Sequence, residues 1–410
     1  MNSDFKPKLR PMVFIRGEAE GKKFLVLQDP ERIAENVMLS AELEPILLMM
    51  NGNNSLLDIQ VELTRRSGGE IVPFDEVKKL IMEMDARMLL DSPRFRETMD
   101  LSLHFWDVFR LRKPFHAGQA YDRNSQKLRE MLESFYEADD GPGKPYKNGK
   151  FVKGLLAPHI DIRSGGPTFA FAYKEIASSS PADLYIIIGT AHQPSAGPFS
   201  ITDKDYMTPL GILPTDEEFL AELLKKYNPD WLTKDIGHRN EHSNEFQVVF
   251  LLHALGAETK AKAIQVLAGF NAPGGEDIPP WEAQEIMDFI EALKETISES
   301  GKKVSFIVGG DLAHIGPRYG DDSPVIPSDL EVCSDKDHEM LSFAEKGDSK
   351  GFYNYIREEK DKRNICGLSP LYTMLALIEG TKGKLLRYDH WYDQATRSAV
   401  TFAAMVWHEE

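Results

Sequence analysis

The segment LYIIIG at 184–189 sets apolar side chains at consecutive positions, with no polar alternation. A strand with one face in water alternates, whereas an unbroken apolar strand is covered on both faces. This run has three companions: FVKGLLA at 151–157, AIQVLAG at 263–269 and VSFIVGG at 304–310. Helical patterns lie between them. One covers 167–178, with Pro167 near its start. Another is TDEEFLAELLKKY, where Thr215 and Glu218 have the spacing of a capping box. A third covers 282–300. The expected fold class is therefore α/β, a mixed, largely parallel sheet covered by helices.

The first hundred residues follow a different rule. KKFLVLQD at 22–29 alternates like a short strand, and three helices are expected after it. Ser40 is placed to cap 41–50 and Ser55 to cap 56–66, while 74–87 carries Val77, Leu80, Ile81 and Met84 on one face. One strand and three short helices suit a small winged-helix domain over 1–105, with 106–410 as the α/β domain. Between residues 40 and 91 the basic side chains are Arg65, Arg66, Lys78, Lys79 and Arg87, against ten acidic ones. A helix that reads DNA normally shows the opposite balance. The stretch LSAELEPILLMMNGNNSLLDIQVELTRRSGG followed by VKKLIMEMDARMLLDS resembles the PqqD-type peptide-recognition fold. That resemblance implies a module that docks a peptide or partner protein.

Charge and cysteine usage narrow the rest. The chain of 410 residues has 65 acidic and 48 basic residues, a net charge of −17. Such a field repels a phosphate backbone, so nucleic acid is not expected as the main partner. Two cysteines, Cys333 and Cys366, imply no disulfide framework, and no run approaches the length of a membrane span. A cytoplasmic chain without a membrane partner is expected.

Chemistry concentrates where the buried strands end. His159 follows 151–157, His192 follows 184–189 in TAHQ, and Asp311 and His314 follow 304–310 in DLAH. Ligands of open α/β sheets bind outside the carboxyl ends of the strands, so three such ends delivering imidazole or carboxylate mark one site. Two further segments are candidates to join it. HRNEHSNEFQVVFLLHAL at 238–255 turns from polar to helical, with Asn240 or Ser243 as its cap and Glu241 and His242 at its start. In NICGLSPLYTMLALI at 364–378, Cys366 precedes an apolar helix: it is either a small buried residue or, at a helix N-terminus that favours the thiolate, a ligand or nucleophile. RSGGPT lacks the residues of a phosphate loop, so its glycines are expected to serve close backbone approach or positive φ. CSDKDHEM at 333–340 reads as a solvated helix start.

Taken in order, HAGQAY, APHIDIRSGGPTFAFAYK, IIGTAHQ, TPLG, EHSNEFQ, GGDLAHIGPRYGD, NICGLSP and YDQATRSAVTFAAMV resemble the Memo family, over roughly residues 110–410. Bacterial and archaeal members are often called AmmeMemoRadiSam system protein B, after an association with an AMMECR-type protein and a radical-SAM enzyme. The family fold is similar to class III extradiol dioxygenases, which hold non-haem iron near the sheet edge. The resemblance implies His159, His192 and Cys366 as metal ligands. It implies His314, His242, Asp311 and Glu241 as catalytic groups in the same pocket. Relatives often have Ala-Gly-Tyr where this chain has IDI, so Asp161 and Arg163 are expected to bring charge to the rim.

Two histidines and a thiolate suit Fe(II) first, with copper or zinc as alternatives. The expected function is a non-haem iron oxidoreductase, dioxygenase-like, acting on a small molecule or modified peptide. A non-catalytic scaffold of a radical-SAM system and a zinc-dependent hydrolase are the competing readings.

Overall fold

The structure, a computed structural model, describes residues 2–19, 21–31, 33–193, 196–256, 259–270 and 278–409. Two compact units divide the chain, Met1–Val108 and Phe109–Glu410. Among the described residues no helix is long and apolar enough to cross a membrane.

The smaller unit is built on an antiparallel sheet of β1 (Val13–Ala19), β2 (Lys22–Gln28) and β3 (Val37–Ser40). Helices α1 (Glu44–Met49), α2 (Leu56–Arg66), α3 (Phe74–Ala86) and α4 (Pro93–Val108) follow. Alternate residues Leu25 and Leu27 of β2 turn inward onto Ile46, Ile59 and Ile81, a separate core. Ser55 caps α2 in a reciprocal box with Asp58, as its spacing predicts. Ser40 caps a short turn at 41–43 ahead of α1, so the expected helix at 41–50 is divided. Strands β1 and β3 and helix α4 are additions to the sequence reading.

The larger unit opens with β4 (Leu111–Arg112), α5 (Ser125–Glu137), β5 (Val152–Ala157), α6 (Ile162–Ser178) and β6 (Leu184–Thr190). Strand β7 (Phe199–Thr202) and a hairpin of β8 (Asp205–Thr208) and β9 (Gly211–Leu213), which joins β4 in a small separate sheet, lead to α7 (Glu217–Lys226) and α8 (His242–Leu255). Then come β10 (Ala263–Ala268), α9 (Gln284–Ser300), β11 (Val304–Gly309) and β12 (His314–Ile315). Helices α10 (Pro327–Glu345), α11 (Ser349–Glu358) and α12 (Leu368–Leu377) precede the closing hairpin, β13 (Gly383–Asp393) and β14 (Ser398–His408).

The main sheet has eight strands in the order β12-β14-β5-β11-β6-β10-β7, with β13 paired to β14. Its centre, β5-β11-β6-β10, is parallel, and the flanking strands run antiparallel. The four parallel strands are the four apolar runs of the sequence, and burial on both faces explains their lack of alternation. Helix α8 packs against β6 and β11, and α12 against β11, β6 and β10. Gly189 and Gly309 let α8 approach. A Cβ at Gly189 would lie 2.2 Å from Asn244 Oδ1, and one at Gly309 would lie 2.4 Å from the Ser243 carbonyl.

Four local expectations are corrected. Helix α6 starts at Ile162, five residues before Pro167, because the Asp161 side chain caps it by accepting from the Arg163 N–H. Helix α7 is capped by Asp216, whose Oδ1 accepts from Phe219, while the Thr215 hydroxyl donates to the Lys204 carbonyl. Helix α8 is capped by Glu241 rather than Asn240 or Ser243. Residues 333–340 lie inside α10, where Cys333 and Asp337 are buried; Asp337 binds Arg363, Thr401 and Tyr388.

Candidate metal centre

Strands β5, β11 and β6 are consecutive neighbours, and each delivers its functional residue two positions past its end. They bring His159, Asp311 and His192 to one edge. Two helices start at that edge: α8, with Glu241 as its cap and His242 as its first residue, and α12, directly after Cys366 and Gly367.

The polar motif EHSNEFQ is buried for definite reasons. Ser243 Oγ donates to the Thr190 carbonyl at 2.9 Å, and Asn244 Nδ2 to that of Val266 at 3.1 Å. Gln247 Nε2 donates to the Pro158 carbonyl at 2.8 Å. The helix is thus fastened to the ends of the strands that carry the site. Glu245, 0% exposed, binds Arg112, the Tyr121 hydroxyl and the N–H groups of Phe115 and His116. Arg112 also donates to the carbonyls of His238 (2.9 Å) and Glu241 (2.8 Å), fixing the loop ahead of α8.

Glu241 is also buried, and it serves the site. Its carboxylate accepts from the backbone N–H of His192 (3.1 Å) and Ser243 (2.9 Å). Its Oε1 also lies 2.9 Å from His192 Nδ1 and 3.2 Å from His242 Nδ1. Burial pushes this carboxyl's pKa up, but the hydrogen bonds from the two imidazoles outweigh it and hold the group well below the ordinary range. His159 Nδ1 faces the Gly309 carbonyl at 3.0 Å. Only an N–H makes that bond, so Nε2 is the acceptor nitrogen of His159. Burial, reinforced by the neighbouring His192 and His242, holds this imidazole well below its usual pKa, hence neutral.

The three rings converge. Centroids are 4.9 Å apart for His159 and His192, 5.1 Å for His159 and His242, and 4.7 Å for His192 and His242. One nitrogen from each lies within 4.8 Å of the other two. A second group within the same limit contains His159, Asp311 and Cys366. The three ligands implied by the family resemblance thus fall across both groups, with His159 shared. Imidazoles whose second nitrogen is tied to a carboxylate or carbonyl are the usual ligands of Zn, Cu and Fe, so the donor set fits a metal.

Asp311 accepts from the N–H of His159 (2.8 Å) and of Ile160 (3.2 Å). Burial nevertheless raises its carboxyl to about 7. Burial likewise raises the Cys366 thiol well above its usual value, with Asp311 adding to the shift. The expectation of a favoured thiolate at the α12 start is therefore reversed for the metal-free protein. His314 stands outside both groups. Its Nδ1 lies 3.1 Å and 3.2 Å from the carbonyls of Leu312 and Asn364, and burial lowers its pKa to about 4. At the rim, Asp161 and Arg163 bind each other through two contacts, so their charges cancel locally. The glycines after them serve close approach: a Cβ at Gly166 would lie 2.4 Å from the Phe135 ring. The roles of Arg112, Glu245 and Gln247 escaped the sequence reading. For Glu245 and Gln247 the one visible signal is a density of polar residues at the start of an otherwise apolar helix, whereas Arg112, in β4, gave none.

Fold and site together define an α/β protein with a histidine-rich cluster, fit to hold a metal, at the carboxyl edge of a mixed sheet. The description of the Memo-like protein family matches residues 112–406, and the chain belongs to that family. A MEMO1 family protein of Aquifex aeolicus is 27% identical over 406 residues, covering 98% of this chain and 100% of its own. A MEMO1 family protein of Desulfurococcus amylolyticus is 28% identical over 284 residues, covering 68% and 91%. One from Methanocaldococcus jannaschii is 29% identical, covering 68% and 92%.

Proposed function

We propose that this chain is a metal-dependent oxidoreductase of the non-haem iron type, acting on a small molecule or a modified peptide. Fe(II) is the favoured metal, and copper and zinc are the others that the donors accept. The observation that carries this reading is the shared carboxylate of Glu241 behind His192 and His242. It fixes the tautomer of two rings and supplies buried negative charge beside the place where a dication would sit.

His159 and His192 hold the ion, and Cys366 is the third donor that the family resemblance implies. A redox-active ion there supplies electron transfer between substrate and dioxygen. The protein's own groups orient the reactants and handle protons. Asp311 fixes the His159 backbone, while His314, tied through Nδ1, presents Nε2 as a proton acceptor of low basicity. The N-terminal unit is a docking module in this reading, for a peptide or for radical-SAM and AMMECR-type partners.

The test is elemental analysis of anaerobically purified protein, with oxygen uptake measured alongside. Close to one equivalent of iron in the parent, lost in His159→Ala and in His192→Ala, is expected. Full metal content in both variants would sink the reading.

A further inference from the structure

We infer that Asp337, a buried residue of α10 outside the metal centre, is a positioning residue: it ties the loop carrying Asp311 and His314 to the loop carrying Cys366. The inference rests on the metal-centre reading for its consequence and on hydrogen bonds alone for its geometry.

Asp337 is 0% exposed, and its two oxygens serve different routes. Oδ2 accepts from the hydroxyls of Thr401 (2.6 Å) and Tyr388 (2.9 Å), while Oδ1 binds Arg363. Thr401, on β14, opens the first route. Its Oγ1 accepts from the Ala313 N–H at 2.9 Å while donating to Asp337. Its carbonyl accepts from the Leu312 N–H (2.8 Å), and its own N–H donates to the Ala313 carbonyl (2.9 Å). Leu312 and Ala313 stand between Asp311 and His314, so Thr401 holds the middle of that loop.

Arg363 opens the second route. Its guanidinium is shared between Asp337 and Glu359, to which Nε and Nη2 donate at 3.0 Å and 2.7 Å. Its carbonyl accepts from the His314 N–H at 2.6 Å, and Asn364 Nδ2 donates to the His314 carbonyl at 3.3 Å. Asn364 has a φ of 50°, a left-handed turn that asparagine tolerates and that leads the chain to Cys366. The loops meet again there. The Gly367 N–H donates to the Asp311 carbonyl at 2.9 Å, and Cys366 Sγ lies 3.5 Å from the same oxygen. A Cβ at Gly367 would lie 2.6 Å from that oxygen, so the approach requires glycine.

A buried ion pair by itself is weak evidence for stability, because apolar residues of similar volume often replace one without loss. An apolar replacement could fill the space of Asp337, but it could not hold the Thr401 hydroxyl and the Arg363 guanidinium on one carboxylate. Tyr388 supplies the contrast. It donates to the same oxygen as Thr401, yet its strand, β13, contributes no side chain to the site.

Thr401→Val and Tyr388→Phe each remove one hydroxyl from Asp337 Oδ2, and so compare the route to the pocket with the route away from it. In the metal-free full-length protein, iodoacetamide labelling is followed at Cys366 by peptide mass. Thr401→Val should label about three- to tenfold faster than the parent, the net contribution of a buried hydrogen bond. Tyr388→Phe should label at the parent rate, and Thr401→Ser, which keeps the hydroxyl, should restore protection. Anaerobic Co(II) titration should agree: about tenfold weaker binding and a diminished thiolate charge-transfer band in Thr401→Val, with neither change in Tyr388→Phe. Arg363→Lys keeps the charge but gives up the fork, and should move both readouts in the same direction even if Thr401→Val fails to fold. Equal behaviour of Thr401→Val and Tyr388→Phe overturns the inference, as does parental behaviour of Arg363→Lys. A folded parent that takes up neither Co(II) nor iron refutes the metal centre instead, and the labelling contrast still decides the role of Asp337.

Discussion

Glu241 and Glu245 stand one helical turn apart at the start of α8, both buried, both ionised, each accepting several hydrogen bonds. Their partners divide them. Glu245 is met by Arg112, a permanent cation, and by a phenol and two backbone N–H groups. Nothing in that arrangement changes on binding a ligand, so it is a structural anchor. Glu241 is met by two backbone N–H groups and two imidazoles. Its compensation depends on the state of the imidazoles, which under the proposed function makes it part of the site. The same residue type on the same helix is structural or functional according to whether its countercharge is fixed.

The largest expected effect breaks the structural half. Arg112→Met leaves Glu245 buried without its cation, and loss of one partner of such a pair costs about 3–5 kcal/mol. Urea denaturation checks this; a loss below about 1 kcal/mol would show that Glu245 is not an anchor.

Next in size is an acid effect in the same neighbourhood. His238 is buried, takes the Tyr206 hydroxyl at Nδ1 (3.0 Å) and faces the Ser200 carbonyl through Nε2 (3.1 Å). Burial lowers its pKa to about 4. The folded value is below the unfolded one, so its contribution is fully present above about 6.5 and is lost as pH falls toward 4. The loss should approach about 3 kcal/mol, and His238→Gln should flatten the stability profile in that window. An unchanged profile would refute the assignment.

The smallest effect sharpens the functional half. Glu241→Gln should lower metal affinity about 10–100-fold, the range for an orienting partner, while costing less stability than Arg112→Met. Competition titration and urea melts of the two variants give the contrast directly. Equal destabilisation with unchanged metal affinity would erase the difference between the two carboxylates.

The sequence made the strand ends legible because burial on both faces leaves an unmistakable apolar run, and the first polar residue after it must lie at the edge. His159, His192 and Asp311 were readable for that reason. The α8 cap was harder: Asn240, Glu241 and Ser243 are all competent, and the choice depends on where the imidazoles stand. Pro167 was misleading because the Asp161 cap lies upstream of it. Asp337 looks solvated in the sequence because its partners, Arg363, Tyr388 and Thr401, are distant along the chain.

The strand order has a consequence for synthesis. Strand β11 lies between β5 and β6 although it is made after both. The spacing of His159 from His192 therefore does not exist until residues 304–309 have left the ribosome and inserted between strands already made. A nascent chain that stops earlier carries both imidazoles without the strand that sets their distance. If the proposed metal centre is right, its loading would follow translation of the middle strand, since an ion presented earlier would meet two separate histidines.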